Sequence, residues 1–194
     1  EDLIDIILVD DESEDGTRAI MDRFAAEHPG VRVLSTAGLT SPFRGKQRPL
    51  DLAMKSAGGE IIFLTDADCA VVPSWIEGHR ASYNDTVGMV GGMTGIAGSG
   101  GLLGVLQDGD QIAKLAIAKG AAGLGLPLTV MGNNLSFRKS AWDAVGGFDT
   151  IGPSFVEDVD LMYAIVRKTP YRLAWERGIG CSVLSLPVEG FGQF

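Results

Sequence analysis

Asp66 and Asp68 stand one residue apart, directly after the apolar run Ile61-Ile62-Phe63-Leu64-Thr65. Such a run reads as a buried strand, and a carboxylate pair at its end can reach one hard cation. Mg²⁺ takes one or two carboxylates, keeps several waters and completes its shell with phosphate oxygens. A cation held there can neutralise a diphosphate as the bond to it breaks. An isolated Asp-X-Asp also describes a solvated turn; the strand ahead of it favours the cation.

Four other groups could do chemistry. Asp10-Asp11 closes the run Ile4-Asp5-Ile6-Ile7-Leu8-Val9, where two carboxylates could accept hydrogen bonds from a base N–H and a ribose hydroxyl. Asp15 or Thr17, just beyond, suits a helix cap. Glu157-Asp158 opens a helical pattern, where a carboxylate can serve as general base or simply favour the positive end of the helix dipole. Gly132-Asn133-Asn134 offers close backbone approach and two amides, or an ordinary turn. Arg44, Lys46 and Arg48 form a basic loop that could contact a diphosphate or remain solvated. His79 has no second histidine near it, and Cys69 adjoins a site that wants oxygen ligands, so both read as packing, as do Trp142 and Trp175.

The elements that must position these groups alternate. The spacing predicts a strand over 4–9 and a helix over 17–27 with Ile20 and Phe24 inward. It continues with a strand over 31–34, a helix over 50–56 and a strand over 60–65. Further on it predicts a helix over 73–82, a strand over 87–90, a mobile glycine-rich loop over 91–104 and a helix over 106–122. Last come a strand over 128–131, helices over 140–145 and 158–166, with Val159, Leu161, Met162 and Ile165 inward, and a strand over 171–175. Strand–helix alternation points to an α/β domain with a mostly parallel sheet, whose ligands lie beyond the carboxyl ends of the strands. Both Asp pairs fall there.

The 194 residues suffice for a single domain over 1–194. The net charge of −9 argues against nucleic acid and suits a cation site. Two cysteines, Cys69 and Cys181, form no metal pair or disulfide framework, which reads as a reducing, cytoplasmic setting. No apolar run is long enough to cross a membrane.

Taken in order, these motifs resemble family 2 glycosyltransferases of the GT-A fold. The segment Ile7 to Thr17 is similar to the family's nucleotide-binding segment, Gly45-Lys46 to its Gly-Lys loop and Asp66-Ala67-Asp68 to its metal motif. Gly132 to Arg138, Gly146-Gly147-Phe148-Asp149 and Glu157-Asp158-Val159-Asp160-Leu161 follow in the family's order. The resemblance implies an inverting transferase that moves a sugar from a UDP- or GDP-sugar to an acceptor glycan or lipid. It places Asp10, Asp11 and Lys46 on the nucleotide, Asp66 near ribose and metal, and Asp68 on Mg²⁺ or Mn²⁺. Asn133 and Asn134 would face acceptor or donor sugar, and Asp158, with Glu157 as second candidate, would be the base. The family's opening strand and helix are missing, so the resemblance implies a fold lacking its first strand, with an open edge that favours a homodimer. It also implies membrane association through flanking segments and a place in the cytoplasm or on the cytoplasmic membrane face. Pro49-Leu50-Asp51 departs from the family's Ala-Leu-Asn, and no Gln-x-x-Arg-Trp motif occurs. Rival classes are a response-regulator receiver, phosphorylated at Asp66, a nucleotidyltransferase on a related α/β fold, and an inactive nucleotide-sugar binding module.

Overall fold

The computed structural model describes residues 4–97, 101–176 and 182–185. Along the chain come β1 (Ile6–Asp10), α1 (Thr17–Glu27), β2 (Val31–Ser35), α2 (Gln47–Ser56), β3 (Ile61–Leu64), β4 (Cys69–Val71), α3 (Trp75–Arg80) and β5 (Val87–Gly91). Then follow β6 (Thr94–Ile96), α4 (Gly101–Gly123), β7 (Leu135–Arg138), α5 (Lys139–Val145), α6 (Gly147–Ile151), α7 (Glu157–Lys168), β8 (Arg172–Trp175) and β9 (Val183–Ser185). They cluster into two compact units, Glu1–Glu60 with Gly146–Glu157, and Ile61–Val145 with Asp158–Phe194.

In the first unit the β-branched run of β1 pairs in parallel with β2, from Ile6 opposite Val31 to Asp10 opposite Ser35. The pairing leaves Asp10 at the carboxyl end. The Asp15 carboxylate accepts the Thr17 N–H at 2.9 Å, which fixes the start of α1, and Gly30 at φ +100° turns the chain into β2. Ile20 and Phe24 do not face inward: both are exposed, and α1 buries none of its residues. A two-stranded sheet offers too little surface to cover an eleven-residue helix, and Phe24 stacks on His28 instead.

The second unit centres on a four-stranded sheet ordered β3-β7-β5-β8. β7 runs antiparallel to both neighbours, while β5 and β8 are parallel. β3, β5 and β8 therefore share one direction, with β7 reversed among them. Leu64 lies opposite Leu135, Gly91 opposite Leu135 and Gly91 opposite Trp175. This register gathers the carboxyl ends of β3, β5 and β8 and the amino end of β7 at one edge. Val87, Met89, Leu135 and Phe137 of the sheet and Leu161, Met162 and Ile165 of α7 are all buried core. Each such side chain contributes about 1.5–3 kcal/mol on burial. A smaller sheet, β4-β9-β6, joins β4 and β9 antiparallel and β6 and β9 in parallel.

The differences from the sequence expectation are local. Residues 128–131 form no strand; the strand comes at β7, inside the motif that follows. The glycine-rich 91–104 segment contains β6, and α4 begins at Gly101 rather than 106; residues 98–100 of that segment lie outside the described residues. Among the described residues no helix is long and apolar enough to cross a membrane.

Candidate active site

The edge of the four-stranded sheet holds most of the second unit's chemistry. Beyond β3, the Cys69 N–H donates to the Asp66 carbonyl at 3.1 Å and closes a turn. The turn leaves Asp66 half-buried and Asp68 exposed. The Cys69 thiol lies 3.4 Å from an Asp68 oxygen, and burial pushes that thiol up, so it stays protonated beside the carboxylate. No cluster of three His, Cys, Asp or Glu side chains that could hold a metal exists among the described residues. Two neighbouring carboxylates, one of them exposed, fit a cation whose remaining ligands are water and phosphate, as Mg²⁺ and Mn²⁺ favour, rather than an all-protein cage.

Opposite β3, the turn entering β7 is fixed by buried hydrogen bonds. The Asn134 N–H donates to the Met131 carbonyl at 3.1 Å. Asn134 itself is fully buried: its amide donates to the Met93 carbonyl at 2.7 Å and accepts from Trp75 Nε1 at 2.8 Å. His79 Nε2 lies 2.9 Å from the same oxygen, and His79 Nδ1 2.8 Å from Ser136 Oγ, which also meets the Tyr83 hydroxyl at 2.9 Å. Burial lowers the His79 pKa, keeping the ring neutral, and pushes the Tyr83 phenol up. A neutral ring that donates from Nε2 to Asn134 accepts from Ser136 at Nδ1. The expectation that Asn134 faces a sugar is therefore replaced: with no exposed surface, it shapes the turn instead. Asn133 is also buried, its amide oxygen accepting from Thr94 Oγ1 at 3.0 Å. The buried Asn134 amide also explains the glycine just past β5, since a Cβ at Gly92 would strike it.

This turn also positions Asp158. Its Oδ2 accepts the Gly132 N–H at 2.7 Å and its Oδ1 the Val159 N–H at 2.8 Å. Each oxygen keeps a further lone pair, and the residue stays half-exposed, whereas Glu157 is buried. Asp158 thus keeps lone pairs that could accept a proton from a ligand.

Sequence reasoning missed Glu176, which follows β8 at the same sheet edge. It is buried; one oxygen accepts the Met93 N–H at 2.6 Å while Oε2 has no partner among the described residues. Burial raises its pKa to about 7, against the lowering effects of the Met93 bond and Lys119. Its signal was the one already used for Asp10 and Asp66, an acidic residue directly after a strand.

In the first unit, Asp10 is buried under hydrogen bonds from Ser13. These hold its carboxyl below the ordinary carboxylate value against the opposing effect of burial, with Arg18 adding attraction. Asp11 remains exposed, and one of its oxygens accepts from Thr36 Oγ1 at 2.5 Å and from Arg48 at 2.7 Å. Arg48 also reaches Glu12 at 2.8 Å. The expected diphosphate role thus does not describe Arg48, whose fork is taken by two carboxylates and orients them. Glu12 sits at φ 60°, a left-handed conformation rare outside glycine. Lys46 is exposed and, with Arg44, Pro42, Pro153, Phe155 and Glu157, lines a pocket of ≈ 410 Å³. Gln47 braces its far wall by donating to the Gly152 carbonyl at 2.8 Å and accepting the Ser154 N–H at 2.9 Å.

Glycosyl transferase family 2 matches residues 1–143. No protein of curated function matches the chain by sequence. Among solved structures, a mycobacterial protein superposes with TM-score 0.61 at 18% identity, covering 97% of this chain and 59% of its own. Glucosyl-3-phosphoglycerate synthase from Mycobacterium tuberculosis, solved with Mn²⁺ and UDP-glucose, gives TM-score 0.58 at 17% identity, covering 96% of this chain and 61% of its own. GalNAc-T7, solved with UDP, GalNAc and Mn²⁺, gives 0.65 at 15%, covering 97% and 39%. The chain thus spans about three-fifths of the mycobacterial structures' length. These neighbours share the GT-A architecture; in this chain β7 runs against the sheet direction, unlike the all-parallel sheet of a receiver domain. The chain belongs to glycosyl transferase family 2.

Proposed function

We propose that this chain is a single catalytic domain, residues 1–194, that transfers a sugar from a nucleotide-diphosphate donor to an acceptor hydroxyl with inversion at the anomeric carbon. The observation that carries the reading is the sheet edge where Asp66, Asp68 and the Gly132–Asn134 turn adjoin, with Asp158 bonded to that turn. Asp68, with Asp66 beside it, would hold Mg²⁺ or Mn²⁺. When bound, the cation supplies charge to the departing diphosphate. Asp10, Asp11 and Lys46 would hold the nucleotide, and Asp158 would take the acceptor proton.

Structural neighbours solved with UDP-glucose, or with UDP, together with Mn²⁺ support a UDP-sugar donor, with a GDP-sugar as the alternative. One of them also holds glycerol 3-phosphate, which supports a small or lipid-borne acceptor hydroxyl beside a glycan end. A cytoplasmic setting, or the cytoplasmic face of a membrane, supplies such donors. Calorimetry of UDP with Mn²⁺ and with chelator tests the reading. Mn²⁺ should strengthen binding, and Asp68→Ala should remove that gain. Equal affinity in both conditions removes the cation from the site. Metal-dependent binding without turnover of any UDP- or GDP-sugar, hydrolysis included, marks an inactive binding module instead.

A further inference from the structure

α4 buries one side and leaves the other bare. Leu115 and Ala118 sit in the core, while Val105, Leu106, Ile112 and Ile117 are 61, 58, 45 and 66% exposed. At ~100° per residue, these four and the small residues Gly109, Ala113, Ala116 and Gly120 fall within an arc of about 140°. No charged residue lies in that arc from 105 to 123. Just past the helix, Leu124 extends the apolar surface at 80% exposure. A surface helix ordinarily carries polar side chains on this side, and a helix apolar all round is a buried one.

We propose that this face is the interface between two copies of the chain, packed with their α4 helices antiparallel about a two-fold axis near Ile112–Ala113. The sequence of the face is self-complementary about that point. Val105 falls opposite Gly120 of the partner subunit, Gly109 opposite Ala116 of the partner subunit, and Ile112 opposite Ala113 of the partner subunit. Val105 and Ile112 therefore each meet a small residue, Leu106 and Ile117 lie toward a flank of the arc, and two isologous sets of contacts form. The small residues let the helix backbones approach closely, so the larger ones can interlock. The rim fits the same axis. Asp110 and Lys114, an ion pair one turn apart, lie either side of it, so each falls beside the opposite charge of the partner subunit.

The same observations count against a lipid surface. An interfacial helix carries lysine, arginine or aromatic residues at its polar boundary. Here Lys114 already pairs with Asp110, the face has no Trp or Tyr, and the chain carries −9. The contact is small. About 29 Å of helix presents roughly 300 Å² in projection, short of the ~800 Å² per partner of a stable complex. The dimer is accordingly weak and concentration-dependent. The inference does not rest on the catalytic reading.

Sedimentation velocity of the chain across the micromolar range, with circular dichroism as a fold check, tests it. Wild type should pass from monomer to dimer. Gly109→Leu is the decisive variant. Open space surrounds Gly109, so leucine fits the monomer and improves its helix propensity. It adds apolar surface yet blocks close approach, so the variant should remain monomeric. Ala113→Cys, next to the axis, should form a disulfide-linked dimer under mild oxidant. A wild type that stays monomeric throughout overturns the proposal, as does a Gly109→Leu variant that associates as well or better. Flotation of a monomeric chain with phosphatidylcholine vesicles, abolished by Ile117→Asp, would assign the face to lipid and overturn it too.

Discussion

Asn134→Leu removes a hub while keeping the same heavy-atom branching, in a bulkier side chain. The substitution strips hydrogen-bond partners from the Met93 carbonyl, the Trp75 indole N–H and His79, all around a side chain with no exposed surface. Each buried group left unpaired costs about 1–3 kcal/mol, and leucine offers nothing in return. Three such groups imply a loss of at least about 3 kcal/mol, a large share of the ~5–15 kcal/mol that holds a domain folded. For a chain of this length, ~3 kcal/mol lowers Tm by roughly 6–12 °C. Thermal unfolding followed by circular dichroism, without nucleotide, reads this directly. A residue that only faces a sugar would leave the ligand-free Tm alone. A Tm within about 2 °C of wild type would therefore refute the network argument and return Asn134 to the list of ligand contacts.

Three further outcomes follow from the same sheet edge. Gly92→Ala should lower stability by about 1–3 kcal/mol in the same assay, because the new methyl meets an Asn134 amide locked by its own bonds; no change would mean the β5–β6 corner can open freely. Glu176 binds its proton more tightly folded, to about pH 7, than unfolded, so stability should fall as pH rises from about 4.5 to 7. Glu176→Gln should remove that part of the slope and stabilise at pH 8 by on the order of 2–3 kcal/mol, while parallel Tm profiles of variant and wild type would show the carboxyl titrates normally. Asp158→Asn should lower turnover by ~10²–10⁴ with donor affinity within about threefold, if the proposed role as base holds. It should also lower Tm, since asparagine has one oxygen for the two backbone N–H groups that Asp158 now accepts; unchanged turnover passes the role of base to Glu157.

Much of this was legible because the informative residues sit at the ends of apolar runs. The Ile4–Val9 and Ile61–Leu64 runs carry their own strand signal, and the residues after them inherit a position. α1 falls at the residues its punctuation predicts, with Asp15 ahead and Pro29-Gly30 behind. What stayed hidden depends on distant partners. β7 is four residues long and is a strand only because β3 and β5 flank it. β4, β6 and β9, at three residues each, have no periodicity to read. Asn134 looked like a ligand residue because a GNN run is polar; only the fold shows Trp75, His79 and Met93 closing over it. Arg48 looked like a phosphate contact for the same reason, and its partners lie 37 and 36 residues back.

The distribution of charge ties these observations to the proposed chemistry. The chain has 25 acidic against 16 basic residues, yet the acidic groups described above are not equally compensated. Asp11 and Glu12 share Arg48, Asp10 has Ser13 and Arg18, and Asp158 has two backbone N–H groups. Asp68 is exposed, and its described contact is a neutral thiol. A diphosphate approaching it meets repulsion of about 4 kcal/mol per charge pair at 4 Å, for an effective dielectric constant near 20. No side-chain movement at that turn reverses the sign, because the groups on it are Asp66, Ala67, Asp68 and Cys69. A divalent cation does reverse it, by converting two like charges into a bridge. The arrangement therefore separates two jobs that a single basic residue would merge. The compensated carboxylates hold geometry through bonds the protein itself supplies, and the exposed Asp68 carboxylate suits the charge that the proposed cation would bring.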